Sequence, residues 1–242
     1  MNALSAPAVT VPAARRMAGA APLLLALCLS SALSVTLWCV RVVYSETTVF
    51  LFLNWNLLLA WIPPACAAGA WLVAGKRPTL APLALLGAWL LFLPNAPYIL
   101  TDLLHLAQRQ NVPLWYDLFM LLSFAWNGLI LGFTSLRIVQ GLVEGWAGRA
   151  AAWGVVLLSL GASAFGVYLG RFLRWNSWDV LTEPGALAQD IFARVLSPLS
   201  YPRTLVVTAL LAAFLILAYV TVLSLGRTPW RDGADKWGHG QM

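Results

Sequence analysis

Long apolar runs alternate with short polar connections along this 242-residue chain. Six of the runs reach the length of roughly 20 residues that an α-helix needs to cross the hydrocarbon core of a bilayer. They cover residues 17–40, 49–74, 79–100, 114–136, 150–170 and 204–225. Only the connection at 171–203 is long, so the pattern predicts an all-α integral membrane protein with a single six-helix transmembrane domain over residues 17–226.

Two departures from plain transmembrane helices are expected. Pro94 and Pro97 lie near the end of the third run, and each proline removes a backbone N–H and crowds the carbonyl four residues earlier. The third helix is therefore predicted to be kinked between residues 93 and 98, and irregular backbone at membrane depth indicates a cavity. Between the fifth and sixth helices, residues 184–195 have one apolar face, which predicts a short interfacial helix.

Composition supports the membrane interpretation independently of the pattern. Hydrophobic residues make up 61% of the chain and charged residues only 10%, whereas about a quarter of the residues of a soluble protein are charged. The first apolar run is longer than the 7 to 15 residues typical of a signal-peptide core, so we expect it to be retained as a helix. The connections are too short for a soluble catalytic domain, and any chemistry is expected in or at the membrane.

The distribution of lysine and arginine predicts the orientation. One side collects nine of them: Arg15, Arg16, Lys76, Arg77, Arg137, Arg149, Arg227, Arg231 and Lys236. The other side collects six: Arg41, Arg109, Arg171, Arg174, Arg194 and Arg203. Because cytoplasmic loops carry the excess of Lys and Arg, both tails, 1–16 and 227–242, are predicted to be cytoplasmic in a multi-pass protein of the cell membrane. The net charge of +6 then faces anionic lipid, and no nucleic-acid partner is expected.

Three polar stretches, residues 95–105, 115–127 and 171–179, fall on the predicted outer side. Within the first, Asp102 and His105 are three residues apart and share one stripe of a helix. A charged side chain at membrane depth is unfavourable by about 2.5 to 3.5 kcal/mol on insertion scales. These groups are therefore expected to converge on one polar pocket that opens to the outer face, with at least one carboxylate meeting an arginine.

The residue types in these stretches suggest specific roles. The candidate catalytic residues are Asp102, His105, Asp117 and Asp179. A histidine with an aspartate one turn away suits general-base catalysis, and several carboxylates could instead hold a divalent cation, so the metal and any cofactor stay open. The candidate substrate-binding residues are Asn95, Tyr98, Asn127, Arg171, Arg174 and Asn176. Two arginines three residues apart on a helix present guanidinium groups suited to phosphate or carboxylate.

Two classes of function fit such a site. An enzyme that acts on a lipid headgroup or a lipid-linked phosphate at the outer leaflet needs both a base and arginines. The alternative is a transporter or a subunit of a membrane complex, with a membrane-protein partner, in which Arg171 or Arg174 pairs with a carboxylate in a structural network. Against a pore, polar residues thin out towards the cytoplasm. Membrane lipid is a partner in either case.

Small residues predict how the helices pack. Gly128 and Gly132 lie four residues apart in the fourth run, and Gly166 and Gly170 repeat that spacing in the fifth. Such spacing allows close backbone approach between membrane helices. We expect it to bring Asp117 towards Arg171.

The polar stretches together resemble a known family. The residues that carry the resemblance are Leu93-Pro94-Asn95-Ala96-Pro97-Tyr98-Ile99-Leu100-Thr101-Asp102-Leu103-Leu104-His105, Trp115-Tyr116-Asp117, Ser123-Phe124-Ala125-Trp126-Asn127-Gly128 and the string from Tyr168 to Asp179. They are similar to a bacterial membrane-protein family known only as domain of unknown function 1361, over about residues 49–225. The resemblance implies a polytopic protein of the bacterial cell membrane and brings no established activity, substrate or site residues.

Overall fold

The computed structural model of the protein describes the backbone of residues 13–108 and 112–225 and the side chains from residue 21 onwards in those ranges. The α-helices are α1 (Ala13–Ser45), α2 (Leu51–Val73), α3 (Leu80–Phe92), α4 (Asn95–Tyr98), α5 (Leu114–Tyr168), α6 (Asp179–Thr182), α7 (Pro184–Leu196) and α8 (Pro202–Leu225). Two 3-10 helices, Ile99–His105 and Pro198–Ser200, and a π-helix, Leu169–Leu173, complete the secondary structure of the described residues.

Five of the described segments are long and apolar enough to cross a membrane, and their environment is therefore lipid. The prediction of an all-helical membrane protein is confirmed. One of the five segments, Leu114–Leu173, has 60 residues and contains two of the six predicted runs. At 1.5 Å per residue a straight helix of that length would measure about 90 Å, three times the hydrocarbon thickness.

The chain folds back within α5. Gly148 has a φ of 84° and a ψ of 173°, which is not helical and separates residues 114–147 from 149–168. Phe133 and Val139 before the break share one buried cluster with Val156 and Leu160 after it, so the two halves pack side by side. Glycine suits this position because an L side chain rarely adopts such a φ.

The third apolar run forms the single segment Leu80–His105, which is longer than the predicted 79–100. Leu93 and Pro94 keep right-handed helical dihedrals between α3 and α4, and the Tyr98 N–H donates to the Pro94 carbonyl at 3.0 Å. After α4 the chain tightens into the 3-10 helix Ile99–His105. The irregularity is thus a change of hydrogen-bonding pattern, and a sharp kink stays a prediction.

Helix α5 lies at the centre of the bundle, where α1, α2, α4 and α8 pack against it. The two largest of three buried clusters form most of the core. One contains Leu53 and Phe124, and the other contains Trp89, Leu160 and Tyr219. Helices α1 and α8 expose most of their apolar side chains, which is expected of helices on the lipid-facing surface of a bundle.

The two glycine pairs of α5 and the π-helix both face the segment around α4. A Cβ added to Gly128 would overlap the carbonyl oxygen of Ala96, and one added to Gly166 would lie 2.6 Å from Cγ of Pro94. The close approach predicted from glycine spacing is present, but it fixes the segment 94–98 between the two halves of α5. The expected approach of Asp117 towards Arg171 stays a prediction, and the ion-pair partner of Asp117 is Arg41.

The predicted interfacial helix, 184–195, corresponds to α7, Pro184–Leu196. Leu187 on its inner face is buried with Tyr168 and Leu169, whereas Phe192 and Leu196 are exposed. Its position at the membrane surface stays a prediction. The predicted tail 227–242 lies outside the described residues, and of the tail 1–16 only the helical backbone of 13–16 is described.

Candidate functional site

Polar side chains from five elements meet at one end of the bundle, which we call the polar end. It contains Arg41 of α1, Asn56 of α2, Asp102 of the 3-10 helix, Asp117 of α5 and Arg171 of the π-helix. The apolar sequence around each of these residues fixes its helix in the membrane. Each polar side chain is therefore held at a fixed position along the bundle axis by its own helix. Its hydrogen-bond and ion-pair partners come from neighbouring helices.

Arg171 is the centre of one group of contacts, which we call the Arg171 cluster. Its Nη2 donates to Oδ1 of Asp102 in an ion pair, and its Nε donates to Oγ1 of Thr101 at 2.8 Å. Nδ2 of Asn56 donates to the other carboxylate oxygen of Asp102 at 2.8 Å. Asp102 is only 1% exposed, so it needs these donors to remain charged in an apolar environment.

The π-helix explains how Arg171 reaches this position. A π-turn adds a residue to the helix and commonly occurs at functional sites. Gly170 lies against the Tyr98 ring, and the guanidinium carbon of Arg171 is 4.4 Å from the centroid of that ring. Tyr98 thus provides an aromatic face for the cation on the side that the carboxylate does not occupy.

His105 is the exposed member of the Arg171 cluster. Nη1 of Arg171 lies 2.9 Å from its Nε2. Because a guanidinium group only donates, Nε2 accepts this hydrogen bond, and in the neutral ring the proton is on Nδ1. The ring packs at 5.1 Å from the Phe52 ring, measured between centroids. Asp102 and His105, predicted on one helical stripe, therefore both contact Arg171. Tyr98 contacts the same arginine through its ring, whereas Asn95, from the same predicted stripe, contacts Ser177.

Asp117 belongs to a second and separate ion pair with Arg41. Nε of Arg41 is 2.6 Å from Oδ1 of Asp117, and Nη2 is 3.3 Å from Oδ2, so the contact is bidentate. Both side chains are 2% exposed. The hydroxyl groups of Ser45 and Thr47 accept from Nη1, and the Phe50 ring lies 4.8 Å from the guanidinium carbon.

Asn127 forms a third polar contact, deeper in the bundle. Its Nδ2 donates to Oγ of Ser34 at 2.8 Å and to the carbonyl of Ser123 at 2.9 Å. Oγ of Ser31 donates to its Oδ1 at 3.4 Å. The amide thus joins α1 to α5, and its predicted role in binding a substrate stays a prediction.

The remaining candidate residues make local contacts. Oδ2 of Asp179 accepts from the backbone N–H of Asn176 at 2.6 Å and from its side chain at 3.2 Å, which closes the turn just before the short helix α6. Nδ2 of Asn95 donates to Oγ of Ser177 at 2.9 Å. Arg174 is exposed. The structure therefore distributes the ten candidates over several groups, and Tyr98, Asp102, His105 and Arg171 form the largest.

The sequence matches the family described as "Protein of unknown function (DUF1361)" over residues 55–218. The chain belongs to this family. No curated protein and no solved structure matches the chain significantly.

The two ion pairs differ in whether both partners lie within the region that matches the family. Asn56, Asp102, His105 and Arg171 all lie inside residues 55–218. Arg41 lies outside the matched region, whereas its partner Asp117 lies inside it. The Arg171 cluster can therefore be assembled wholly from residues of the family domain, and the pair on α1 cannot.

Three partners in these groups were not among the candidates from the sequence. Arg41 counted only as a connection charge in the orientation argument, yet it is buried with Asp117. Asn56 and Thr101 were not singled out either, although both are polar side chains near the ends of apolar runs. That position was the available signal, because a polar group near the end of a membrane helix needs a partner.

A small cavity lies beside Pro97, away from the Arg171 cluster. Its lining is apolar apart from Ser163, whose buried hydroxyl lacks a hydrogen-bond partner among the described residues. Among the described residues, including those around this cavity, no three His, Cys, Asp or Glu side chains form a group that could hold a metal ion.

Helix α7 is attached to the end of the π-helix by a charged group. Nε1 of Trp175 donates to Oδ2 of Asp190 at 2.7 Å, and Nη1 of Arg194 is 2.7 Å from Oδ1. The indole hydrogen bond, followed by the interaction with Arg194, holds the pKa of Asp190 below its ordinary value. The carboxylate thus stays ionised and keeps α7 close to the Arg171 cluster.

Proposed function

We propose that this protein is an enzyme of the cell membrane that acts on a lipid headgroup or a lipid-linked phosphate at the outer face. Asp102, His105 and Arg171 carry the proposed chemistry. The observation that favours them is the hydrogen bond from Arg171 to the exposed ring of His105, beside a buried carboxylate that fixes the arginine. A phosphate-binding cation and a titratable base then lie in direct contact.

The contacts suggest an order of events. An incoming phosphate oxygen competes with Nε2 of His105 for the Nη1–H groups of Arg171, since a charge-assisted hydrogen bond to phosphate is the stronger one. Nε2 then becomes free to accept the proton of a hydroxyl or water that attacks the phosphorus, as a general base does. As the new P–O bond forms, the P–O bond to the leaving alcohol breaks, and the protonated ring can return its proton to the leaving oxygen. Asp102, held by Asn56, keeps Arg171 in place throughout. The predicted catalytic roles of Asp117 and Asp179 gain no support from their contacts.

The proposed topology has six crossings with both termini in the cytoplasm. It rests on the fold-back at Gly148 and on the bias of lysine and arginine towards the opposite end from Asp102. In a variant without the native cysteines, a single cysteine at the exposed Gln108 should react with an impermeant reagent in intact cells. Reaction only after permeabilisation would reverse the orientation and with it the outer-face site.

Complementation tests the catalytic role. His105→Ala and Asp102→Asn should fail to complement a deletion strain, whereas Glu144→Gln, just before the break at Gly148, should complement it. His105 is exposed, so His105→Ala is expected to change the free energy of unfolding by no more than about 0.5 kcal/mol. Full complementation by His105→Ala at normal abundance would refute the enzyme proposal.

The second candidate is a subunit of a membrane complex in which the polar groups form a structural network. The observation that favours it is the pair of Arg41 and Asp117, in which both side chains are 2% exposed and no catalytic partner is needed to explain them. On this hypothesis, function should follow the stability of the fold. Variants of both ion pairs would then lose complementation in proportion to their lost abundance, and His105→Ala would retain it.

A further inference from the structure

Arg174 occupies a backbone position that an arginine does not favour. The π-helix ends at Leu173, and Arg174 has a φ of 66° and a ψ of 27°, in the left-handed region. The N–H of Trp175 donates to the Leu169 carbonyl at 3.2 Å and closes the turn. Glycine is the usual residue at this point of a helix end, because it has no Cβ to strain. An arginine that replaces it indicates a role for the side chain.

The charge of Arg174 is also uncompensated within the described residues. At the polar end, Arg41, Arg171 and Arg194 each have an aspartate partner within 4 Å. Arg174 and Arg203 are exposed, and neither has such a partner in the described parts of the chain. These two cations therefore have no carboxylate partner among the described residues, whereas every other described arginine of that end is paired with an aspartate.

Phe172 links these two arginines, one by contact and the other by sequence. The guanidinium carbon of Arg203 lies 4.4 Å from the centroid of the Phe172 ring, and Arg174 follows that phenylalanine by two residues. Arg203 is in the first turn of α8, where the helix dipole disfavours a cation unless an anion is near. The neighbouring α7 exposes Phe192 and Leu196, which are side chains suited to the boundary of a lipid leaflet.

The geometry points to a binding site for the phosphate of an anionic membrane lipid, formed by Arg174 and Arg203 beside Phe172. Guanidinium groups bind phosphate oxygens through paired N–H donors, and two of them can share one phosphate. The site takes its ligand from the surrounding leaflet. The inference rests on the proposed function only in placing the polar end among lipid headgroups. Arg174 and Arg203 would supply a phosphate contact that Arg171 does not, because Arg171 is already bound to Asp102.

Thermal unfolding of the purified full-length protein in neutral detergent tests the site. Added phosphatidylglycerol should raise the Tm of the wild-type protein by several degrees, whereas phosphatidylcholine at the same concentration should not. Inorganic phosphate tests whether the bound phosphate belongs to a lipid headgroup or to a soluble molecule. If it produced the same shift at the concentration used for the lipid, the ligand would be a soluble phosphate and the lipid site would be refuted.

Arg174→Gly is the decisive variant, because it removes the guanidinium group and restores the residue that the backbone favours. Its Tm without lipid should equal or exceed that of the wild type, while the shift with phosphatidylglycerol should be lost. Arg203→Gln should lose the shift as well. Arg149→Gln, an exposed arginine at the opposite end, is the matched control and should keep it. A full shift in Arg174→Gly would overturn the inference.

His105→Ala separates this inference from the proposed function. Neither Arg174 nor Arg203 contacts His105 among the described residues, so the variant should keep the phosphatidylglycerol shift even if it fails to complement. Loss of the shift in His105→Ala would place the phosphate at the Arg171 cluster and refute a separate lipid site. Complementation by His105→Ala with a retained shift would refute the enzyme and leave the lipid site standing.

Discussion

Two arginine–aspartate pairs at the same end of the bundle differ in what surrounds the arginine. The remaining donors of Arg41 meet the hydroxyl groups of Ser45 and Thr47, which do not titrate in the accessible pH range. The Nη1 of Arg171 instead meets the exposed imidazole ring of His105. Arg41 is 2% exposed and Arg171 is 12% exposed.

The difference shows that burial of an ion pair does not by itself indicate a functional site. Both aspartates are almost inaccessible, and both arginines lie against an aromatic ring. What distinguishes the second pair is a path from the buried carboxylate through the arginine to a base at the surface. We call the Arg41 pair closed, because its arginine contacts only buried or local groups, and the Arg171 pair open, because its arginine also contacts the exposed His105. A closed pair can only hold helices together, whereas an open pair can also respond to a ligand.

Asp117→Asn should have the largest effect on stability. It leaves Arg41 charged and buried without its partner, and breaking a buried pair in this way costs about 3 to 5 kcal/mol. The free energy of unfolding in detergent is the measurement. Arg41→Gln combined with Asp117→Asn should recover part of the loss because the unpaired charge is gone. No recovery in the double variant would mean that the pair is not what stabilises this region.

Asp102→Asn should cost less, about 1 to 3 kcal/mol, in the same measurement. Arg171 is more exposed than Arg41, so its freed guanidinium group can turn towards water when the carboxylate is removed. The comparison between the two pairs depends on this order. If Asp102→Asn were more destabilising than Asp117→Asn, the Arg171 pair would be the closed one. The proposed functional role of the Arg171 pair would then be contradicted.

Gly166→Ala should disturb the Arg171 pair through the backbone. The new Cβ would lie 2.6 Å from Cγ of Pro94, and overpacking of this kind costs about 1 to 3 kcal/mol, partly offset by the better helix propensity of alanine. Gly161→Ala is the matched control, since a Cβ there meets nothing within 4 Å. The control should be neutral or slightly stabilising. Equal effects of the two substitutions would exclude a specific fit between α5 and Pro94.

The smallest effect should be a local dependence on pH at α7. The depressed pKa of Asp190 means that its contacts with Trp175 and Arg194 stabilise the attachment of α7 above the ordinary carboxyl pKa of about 3.9. This stabilisation should disappear as the pH falls below about 4 and through the lower pKa of the folded state. Hydrogen exchange of α7, corrected for intrinsic rates, should then increase. Asp190→Asn should abolish that change, and a persisting change would assign it to another group.

The helices could be predicted from the sequence because long apolar runs have one stable conformation in lipid. The pairing of Asp117 with Arg41 could not, since the hydrophobic pattern does not specify that α1 packs beside α5. The contact of Asp179 with Asn176 depends only on their separation of three residues, and a sequence argument can reach it. Arg171 lies 69 residues from Asp102, and its position further depends on a π-turn that no periodicity indicates.

The separation of Arg41 from Asp117 has a consequence for biosynthesis. The arginine precedes its partner by 76 residues, so at about 5 to 20 residues per second the ribosome adds Asp117 roughly 4 to 15 s after Arg41. During that interval Arg41 is kept at the aqueous boundary by the cost of burying a lone charge, and α1 has little apolar contact to fix it. Helix α1, which is synthesised before the other described helices, is therefore expected to be among the last of them to pack into the bundle.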